Sequence, residues 1–479
     1  MKSKYTAAKI LALAAMPTLL GACTAGPKYV RPDVATPSAY KEAGEWKIAQ
    51  PRDTVKRGKW WEIFRDAQLN ALAEQIDISN QNVRIAEARF QQARALVQSA
   101  RAGLFPSVTG RAAVTRSSSP SGATRGSGAT TAYDLSIDAG WEVDLWGRVR
   151  NTVDSNVAGA QASAADLEAV RLSAQAEIAL DYFQLRVLDG QRRLLEDSVA
   201  AFQKSLDLTR NRYAAGVAGK VDVVQAETQL KSTQAQAIDI GVQRAQLEHA
   251  IAILIGKPPA EFALAPMPLN LAMPAVPLGL PSELLERRPD IAAAERRVAA
   301  ANAQIGVAKS AFFPALTLSA SAGFQNSSFA QWLTVPSRFW ALGPAIAQSI
   351  FDAGLRRALT AQAIAVYDAN VAAYRQTVLG GFQEVEDNLA ALHILEQEAR
   401  AQADAVAAAR QSVELTLNQY KAGTVSYLNV VAVQTTQLTN ERTAASILGR
   451  RLTAAVTLVK ALGGGWSATD LPTSEQPPR

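Results

Sequence analysis

A chain of 479 residues that is 48% hydrophobic, 19% charged and 6% aromatic has enough apolar content to build a folded core, which excludes wholesale disorder. Its 29 glycines and 21 prolines keep no three-residue period, which excludes collagen, and one cysteine with two histidines (His249 and His393) excludes an intramolecular disulfide and leaves little for a zinc site or a histidine-based triad. The formal charge of +6 falls to +3 once Lys2, Lys4 and Lys9 leave with residues 1–22, too mild a balance to point to nucleic acid.

Those three lysines, the apolar run 10–20 and the small residues after it read as a secretory signal peptide over 1–22. The run is about half of the ~20 residues that a membrane-spanning helix needs. Leu20-Gly21-Ala22-Cys23 resembles the lipobox of bacterial lipoproteins, in which the cysteine becomes the acylated first residue of the mature chain. The alternative is an ordinary signal with an incidental cysteine. The resemblance implies a palmitate-type anchor on Cys23, each buried CH₂ adding about 0.8 kcal/mol. Thr24, where an Asp would favour the inner membrane, implies the outer one.

After an irregular tether over 23–61, the chain reads as one unit written twice, 62–256 and 290–464, joined by a Pro-rich linker over 257–289 and followed by a tail over 465–479. Asn82-Val83 and Glu87 recur as Asp290-Ile291 and Glu295, and Phe105-Pro106 recurs as Phe313-Pro314. Gly147 recurs as Gly354, and Tyr213-x-Ala215-Gly216 as Tyr420-x-Ala422-Gly423. In the first unit a helix is predicted over 67–102, strands over 107–115 and 133–145 around a Ser/Gly/Thr loop, and a proline-free helix over 151–214. That helix is roughly 95 Å long at 1.5 Å per residue. Gly216 and Gly219 break it before a helix over 221–255. The second unit repeats the order: helix 290–311, strands 315–324 and 340–351, helix 355–421, a turn at Gly423 and helix 427–461. Val153, Val157, Ala160, Ala164, Leu167, Val170, Ala174 and Ile178 step by three and four, a coiled-coil spacing with small seam residues. A dry coiled-coil scaffold with no pore satisfies the helical pattern equally well.

The strands carry the discriminating signal. Tyr133, Leu135, Ile137, Ala139, Trp141, Val143 and Leu145 alternate with Asp134, Ser136, Asp138, Gly140, Glu142 and Asp144. Leu316, Leu318, Ala320, Ala322 and Phe324 alternate in the same way, whereas Arg111 and Pro344 interrupt the other two strands. A half-buried soluble sheet gives the same alternation, but no amphipathic helix is free to cover it. The mature chain also has no apolar run long enough to span a membrane as a helix, so any crossing falls to closed strands. Four strands cannot close alone, since small single-chain barrels use eight, so a barrel needs several copies. Asp134, Asp138, Glu142 and Asp144 are then expected to line its wet interior.

No Walker loop, His-Glu-x-x-His or Gly-x-Ser-x-Gly motif is present. Gly216-Val-Ala-Gly-Lys220 lacks the preceding strand of a phosphate loop. Glu384, Glu386 and Asp387 read as a solvated helix face, His393 as a helix-surface or seam residue, and Trp332 and Trp340 as members of an interfacial aromatic girdle. No catalytic residue, metal or cofactor is expected.

Several stretches resemble TolC-like outer-membrane efflux proteins, in particular the lipoprotein branch that serves RND-type multidrug pumps. They are Gly26-Pro-Lys-Tyr-Val-Arg-Pro32, Trp60-Trp61-x-x-Phe64-x-Asp66, Trp141-x-x-Asp144-Leu145-Trp146-Gly147-Arg148 and the segment 280–295 with its Glu286-Arg-Arg-Pro-Asp-Ile291 core. The resemblance implies a mainly α fold with membrane β: a homotrimer whose four strands per subunit form one twelve-stranded outer-membrane barrel, continued by a long α-helical tunnel. It implies a passive conduit for drugs or other small molecules, fed by a periplasmic membrane-fusion adaptor and an inner-membrane RND-type pump. A protein-secretion exit channel is the alternative. By the same resemblance the adaptor docks on the turns at Gly216, Val217, Ala218 and Gly219 and at Gly423, Thr424, Val425 and Ser426, with Val217, Thr424 and Val425 the contact residues. The glycines there are expected to serve the reversal itself through positive φ. Asp222, Tyr420, Leu428 and Asn429 match positions of a periplasmic gate. Val425, Asn429 and Ala432 stand where relatives carry Arg or Asp, so an Arg–Asp latch is not available and an apolar constriction that responds little to pH is expected.

Overall fold

A computed structural model describes residues 25–43, 59–118, 129–267, 273–274 and 283–472; the signal segment and Cys23 lie outside the described residues. The first unit comprises α1 (Ala67–Ser79), α2 (Gln81–Ala102), β1 (Ser107–Ser117), β2 (Thr130–Val143), α3 (Arg148–Ala214) and α4 (Lys220–Leu254). The second comprises α5 (Pro289–Ser310), β3 (Ala315–Asn326), β4 (Arg338–Ala347), α6 (Leu355–Ala422) and α7 (Tyr427–Ala461). With 67 and 68 residues, α3 and α6 are each about 100 Å long. Neither contains a proline that would break its ladder.

The predicted helix over 67–102 is in fact two. Asn80 adopts an extended conformation, ends α1 and accepts from Val83 N at 3.0 Å as the N-cap of α2. The break serves a neighbour: Ser79 Oγ donates to Ile255 O at 2.6 Å and Asn80 Nδ2 to Leu254 O at 2.7 Å, satisfying carbonyls that the end of α4 leaves open.

The strands form one antiparallel meander in the order β1-β2-β3-β4, so β1 and β4 are its free edges. Beside them the helices make a curved layer. Near the sheet, α2 packs on α3, α3 on α5 and α5 on α6; farther away α4 packs on α3, α3 on α7 and α7 on α6. Alanines make the α3–α5 seam close: Ala165 is buried against Ala292 and Ala293. The main core gathers midway along the helices. Trp60, Trp61 and Phe64 pack edge to edge, and Phe64 meets Phe183 with ring centroids 4.8 Å apart. Asp66 caps α1 through the Gln68 and Leu69 amides at 2.9 and 3.0 Å and accepts from Tyr182 Oη at 2.7 Å.

Two ionic knots hold the chain between the repeats. Asp189, buried, pairs with Arg186 at 3.0 Å and Arg244 at 2.7 Å, and Arg244 pairs with Glu248 at 2.8 Å. The same groups bind the backbone of Leu264, Ala265 and Met267, so the start of the linker is fixed to α3 and α4. Arg288, at the N-cap of α5, pairs with Asp290 and with Glu384 of α6, both at 2.6 Å. Glu384 is exposed on its helix face, as expected, and carries an ion pair there. Glu386 likewise accepts from the Lys41 and Glu42 amides at 2.8 and 2.9 Å.

Candidate functional site

Strand pairing sorts the sheet into two faces. Opposite one another on the first stand Val108 and Ala139, Ala112 and Leu135, Leu135 and Phe324, Trp141 and Leu318, and Ala320 and Leu342. On the second stand Thr109 and Asp138, Asp138 and Ser321, Asp134 and Gln325, and Glu142 and Thr317. The first face is left open, with Trp340 81%, Leu342 76% and Ile346 74% exposed. A soluble sheet would bury such a surface; this one has to find an apolar medium outside the chain. Arg111 is opposite Ser136 and hence on the polar face, so it does not interrupt the alternation. Pro344 lies in β4 opposite Leu318 on the apolar face, so it too keeps the alternation.

The four expected lumen acids divide. Asp134 and Asp138 flank Ser136, whose hydroxyl lies 3.3 and 3.0 Å from their carboxylates and donates to one at a time. Glu142 shares the polar face but is held bidentately by Arg148 at 2.6 and 2.7 Å. Asp144 does not line the sheet, because β2 ends at Val143. Its carboxylate accepts from the Val149 and Arg150 amides at 3.0 and 2.9 Å and from Arg150 Nε at 3.1 Å, capping α3 where the chain turns from strand to helix. The second repeat uses the same corner: Asp352 accepts from the Gly354 and Arg356 amides and pairs with Arg356, whose hydrogen bond holds the carboxyl below its ordinary range. Gly147 and Gly354 take the left-handed φ of 78° and 91° that each corner requires. An Asp ahead of that repeated glycine, followed by an arginine, was the available signal.

At the far end of the helices, Gly216 (φ 75°) and Gly423 (φ 80°) reverse the chain. Gly219 does not share this role: its φ is −80°, and it is the N-cap of α4, its amide donating to Asp222 at 3.2 Å. Val217 is 64% exposed and Ala218 half-buried, while Thr424 and Ser426 are exposed. Val425 is half-buried against an apolar cluster that contains Phe202, Leu206, Leu230, Tyr420 and Tyr427.

The four expected gate residues also separate. Leu428 is 59% exposed and Asn429 is exposed beside it, whereas Asp222 is half-buried and occupied in capping. Tyr420 is buried inside the tip, its hydroxyl 3.1 Å from Thr209 Oγ1. Sequence reasoning missed Arg212. Its guanidinium lies 4.7 Å from the Tyr420 ring centroid and donates to Tyr420 O at 2.8 Å and Lys421 O at 3.3 Å. A cation from the first hairpin thus caps the C-terminus of α6 in the second.

The chain that follows Cys23 starts at the strand-to-helix corner. Ala25 N donates to Trp146 O at 3.0 Å, and Gly26 lies so close to Gly306 and Asn151 that a Cβ there would collide with the Gly306 backbone. From this corner the segment runs down the helices: Pro27 O accepts from Asn302, Tyr29 bonds to Glu295, and Arg31 reaches Tyr374 Oη. Among the described residues no helix is long and apolar enough to cross a membrane, and no group of acidic, His or Cys side chains could hold a metal ion.

An open four-stranded sheet with one apolar and one acidic face, mounted on helices of about 100 Å, defines one subunit of an outer-membrane export channel. The chain belongs to the outer membrane efflux protein family, which it matches over residues 72–257 and 280–464. It is 31% identical to the toluene efflux pump outer membrane protein TtgC of Pseudomonas putida over 466 residues, 95% of this chain and 96% of that one. It is also 31% identical to the pyoverdine export outer membrane protein OpmQ of Pseudomonas aeruginosa over 468 residues, 96% and 98% of the two chains. Among solved structures, the outer-membrane channel OprN superposes with a TM-score of 0.86 at 33% identity, covering 93% of this chain and all of that one. The open state of the Neisseria gonorrhoeae MtrE channel superposes with a TM-score of 0.82 at 29% identity, covering 94% and 100%. The fold is that of a trimeric outer-membrane efflux channel, four strands from each subunit joining in one barrel above a helical tunnel.

Proposed function

We propose that this channel is the passive outlet of a tripartite efflux system, taking drugs or other small molecules from a periplasmic adaptor and an inner-membrane RND-type pump to the exterior. The observation that carries the reading is the open sheet with all its acidic residues on one face. The names of relatives that export toluene or pyoverdine support small-molecule cargo. The segment that starts at the strand-to-helix corner two residues after Cys23 supports an acyl anchor at the membrane surface.

The adaptor meets the tips at Val217 and Thr424, which project there, while Val425 contributes from its partly covered position. Leu428, Asn429 and Asp222 narrow the tunnel end, and Tyr420 acts behind them as packing for the tip. Deletion of the gene is expected to raise susceptibility to pump substrates. Val217→Asp with Thr424→Arg is expected to reproduce that phenotype while leaving the purified trimer intact and conducting. Unchanged susceptibility of the deletion strain to every small-molecule substrate of the pump overturns the reading. Leu428→Ser is expected to raise single-channel conductance in planar bilayers; a conductance equal to the unmodified channel counts against the gate.

A further inference from the structure

The lipid-facing side of the sheet carries two charges, and both are cations at the same end. Strand register places Val108, Gly110, Ala112, Val114 and Arg116 on the apolar face of β1, and Arg338, Trp340, Leu342, Pro344 and Ile346 on that of β4. β1 leaves the helices at Ser107 and β4 returns to them at Ala347. Arg116 and Arg338 are therefore both at the end remote from the periplasmic helices, the external one. A lipid-facing arginine is tolerated there because its guanidinium reaches the head-group layer rather than the hydrocarbon.

Among the described residues neither arginine has a counter-ion. Both are exposed, and among the described residues no hydrogen bond or ion pair engages them. The acids of the strands, Asp134, Asp138 and Glu142, all stand on the opposite face. The two external connections, 118–129 and 327–337, contain no Asp or Glu. The charge of this rim is thus positive, and no acid of the strands or of the two connections answers it.

Trimer closure brings the two arginines onto one seam. Inside a subunit β1 and β4 are three strand steps apart, roughly 14 Å at about 4.8 Å per step. In the closed ring β4 of one subunit is next to β1 of its partner, one step away. We propose that Arg338 of one subunit and the partner's Arg116 form a binding site for the phosphorylated head group of an outer-leaflet glycolipid, one site at each seam. Guanidinium groups match phosphate through paired N–H donors. The apolar band directly below, with Trp340 and Leu342 on β4 and Val114 on β1, receives the acyl chains.

The test is native mass spectrometry of the intact trimer in detergent, titrated with bis-phosphorylated lipid A and, separately, with lipid A from which both phosphates have been removed. Up to three phosphorylated molecules per trimer are expected, bound at least tenfold more tightly than the dephosphorylated form. Arg116→Gln with Arg338→Gln is expected to remove that discrimination while leaving phosphatidylethanolamine binding unchanged. Equal affinity of the unmodified trimer for the two lipids overturns the proposal, as does undiminished phosphate discrimination in the double variant. If the double variant does not assemble, the comparison of the two lipids on the unmodified trimer decides.

Discussion

Single side chains here are fixed by charge more than by packing. Asp189 answers two buried arginines and a backbone amide, and removing it leaves both guanidinium groups short of a partner in a dry site. Asp189→Ala is expected to destabilise each subunit by about 3–5 kcal/mol and to free the linker around 264–267, measured as a lower Tm with new proteolytic cleavage there. An unchanged Tm would contradict this. Asp181 is the opposite case: burial first, then the nearby Glu177, push its carboxyl up to about 6. Between its ordinary value near 4 and that value, the folded chain keeps a proton that the unfolded chain has lost. Stability contributed here therefore falls as pH rises through the window and returns on acidification. Asp181→Asn is expected to flatten the slope of Tm between pH 4.5 and 6.5; identical slopes would contradict the assignment. These residues were the least legible in the sequence. Asp144 continues the strand alternation in the letters, and only the turn after Val143 redirects it to cap a helix. Tyr420 sits in a repeated motif, yet its neighbours from 202 to 230 lie on another hairpin that no local pattern reveals.

At the scale of elements, periodicity was a good guide wherever one force dominated. Period two over 133–143 gave β2 its faces, because a ladder leaves a side chain no other choice. Proline-free, alanine-rich sequence gave α3 and α6, whose bounds differ from expectation by a few residues at most. The break at Asn80 escaped because its cause, the open carbonyls of α4, is about 175 residues away. The tips separate two kinds of glycine that the sequence presents alike. Gly423→Ser is expected to cost about 1–2 kcal/mol, since a side chain is forced into the left-handed region. Gly219→Ser is expected to stay within about 0.5 kcal/mol, serine being a good N-cap at an ordinary φ. Thermal unfolding of the two variants checks the contrast; equal losses would contradict it.

The whole molecule follows from what one copy leaves unfinished. Its sheet ends in two unpaired edges, and unpaired backbone groups cannot remain open in lipid. Its helical layer ends in α2 and α4 on one side and α6 on the other, and these edges still expose Ile238, Val242, Leu379 and Ile394. Three copies close both layers together, and Asp134 and Asp138, which share the polar face of the sheet, are then expected around one bore in every copy. Single-channel recording of the purified trimer in planar bilayers tests this most directly. Unmodified channels should give discrete, cation-selective conductance steps, and Asp134→Asn with Asp138→Asn should weaken that selectivity without abolishing the steps. Absence of steps, or selectivity that ignores the loss of both carboxylates, would contradict a bore lined by this face of the sheet.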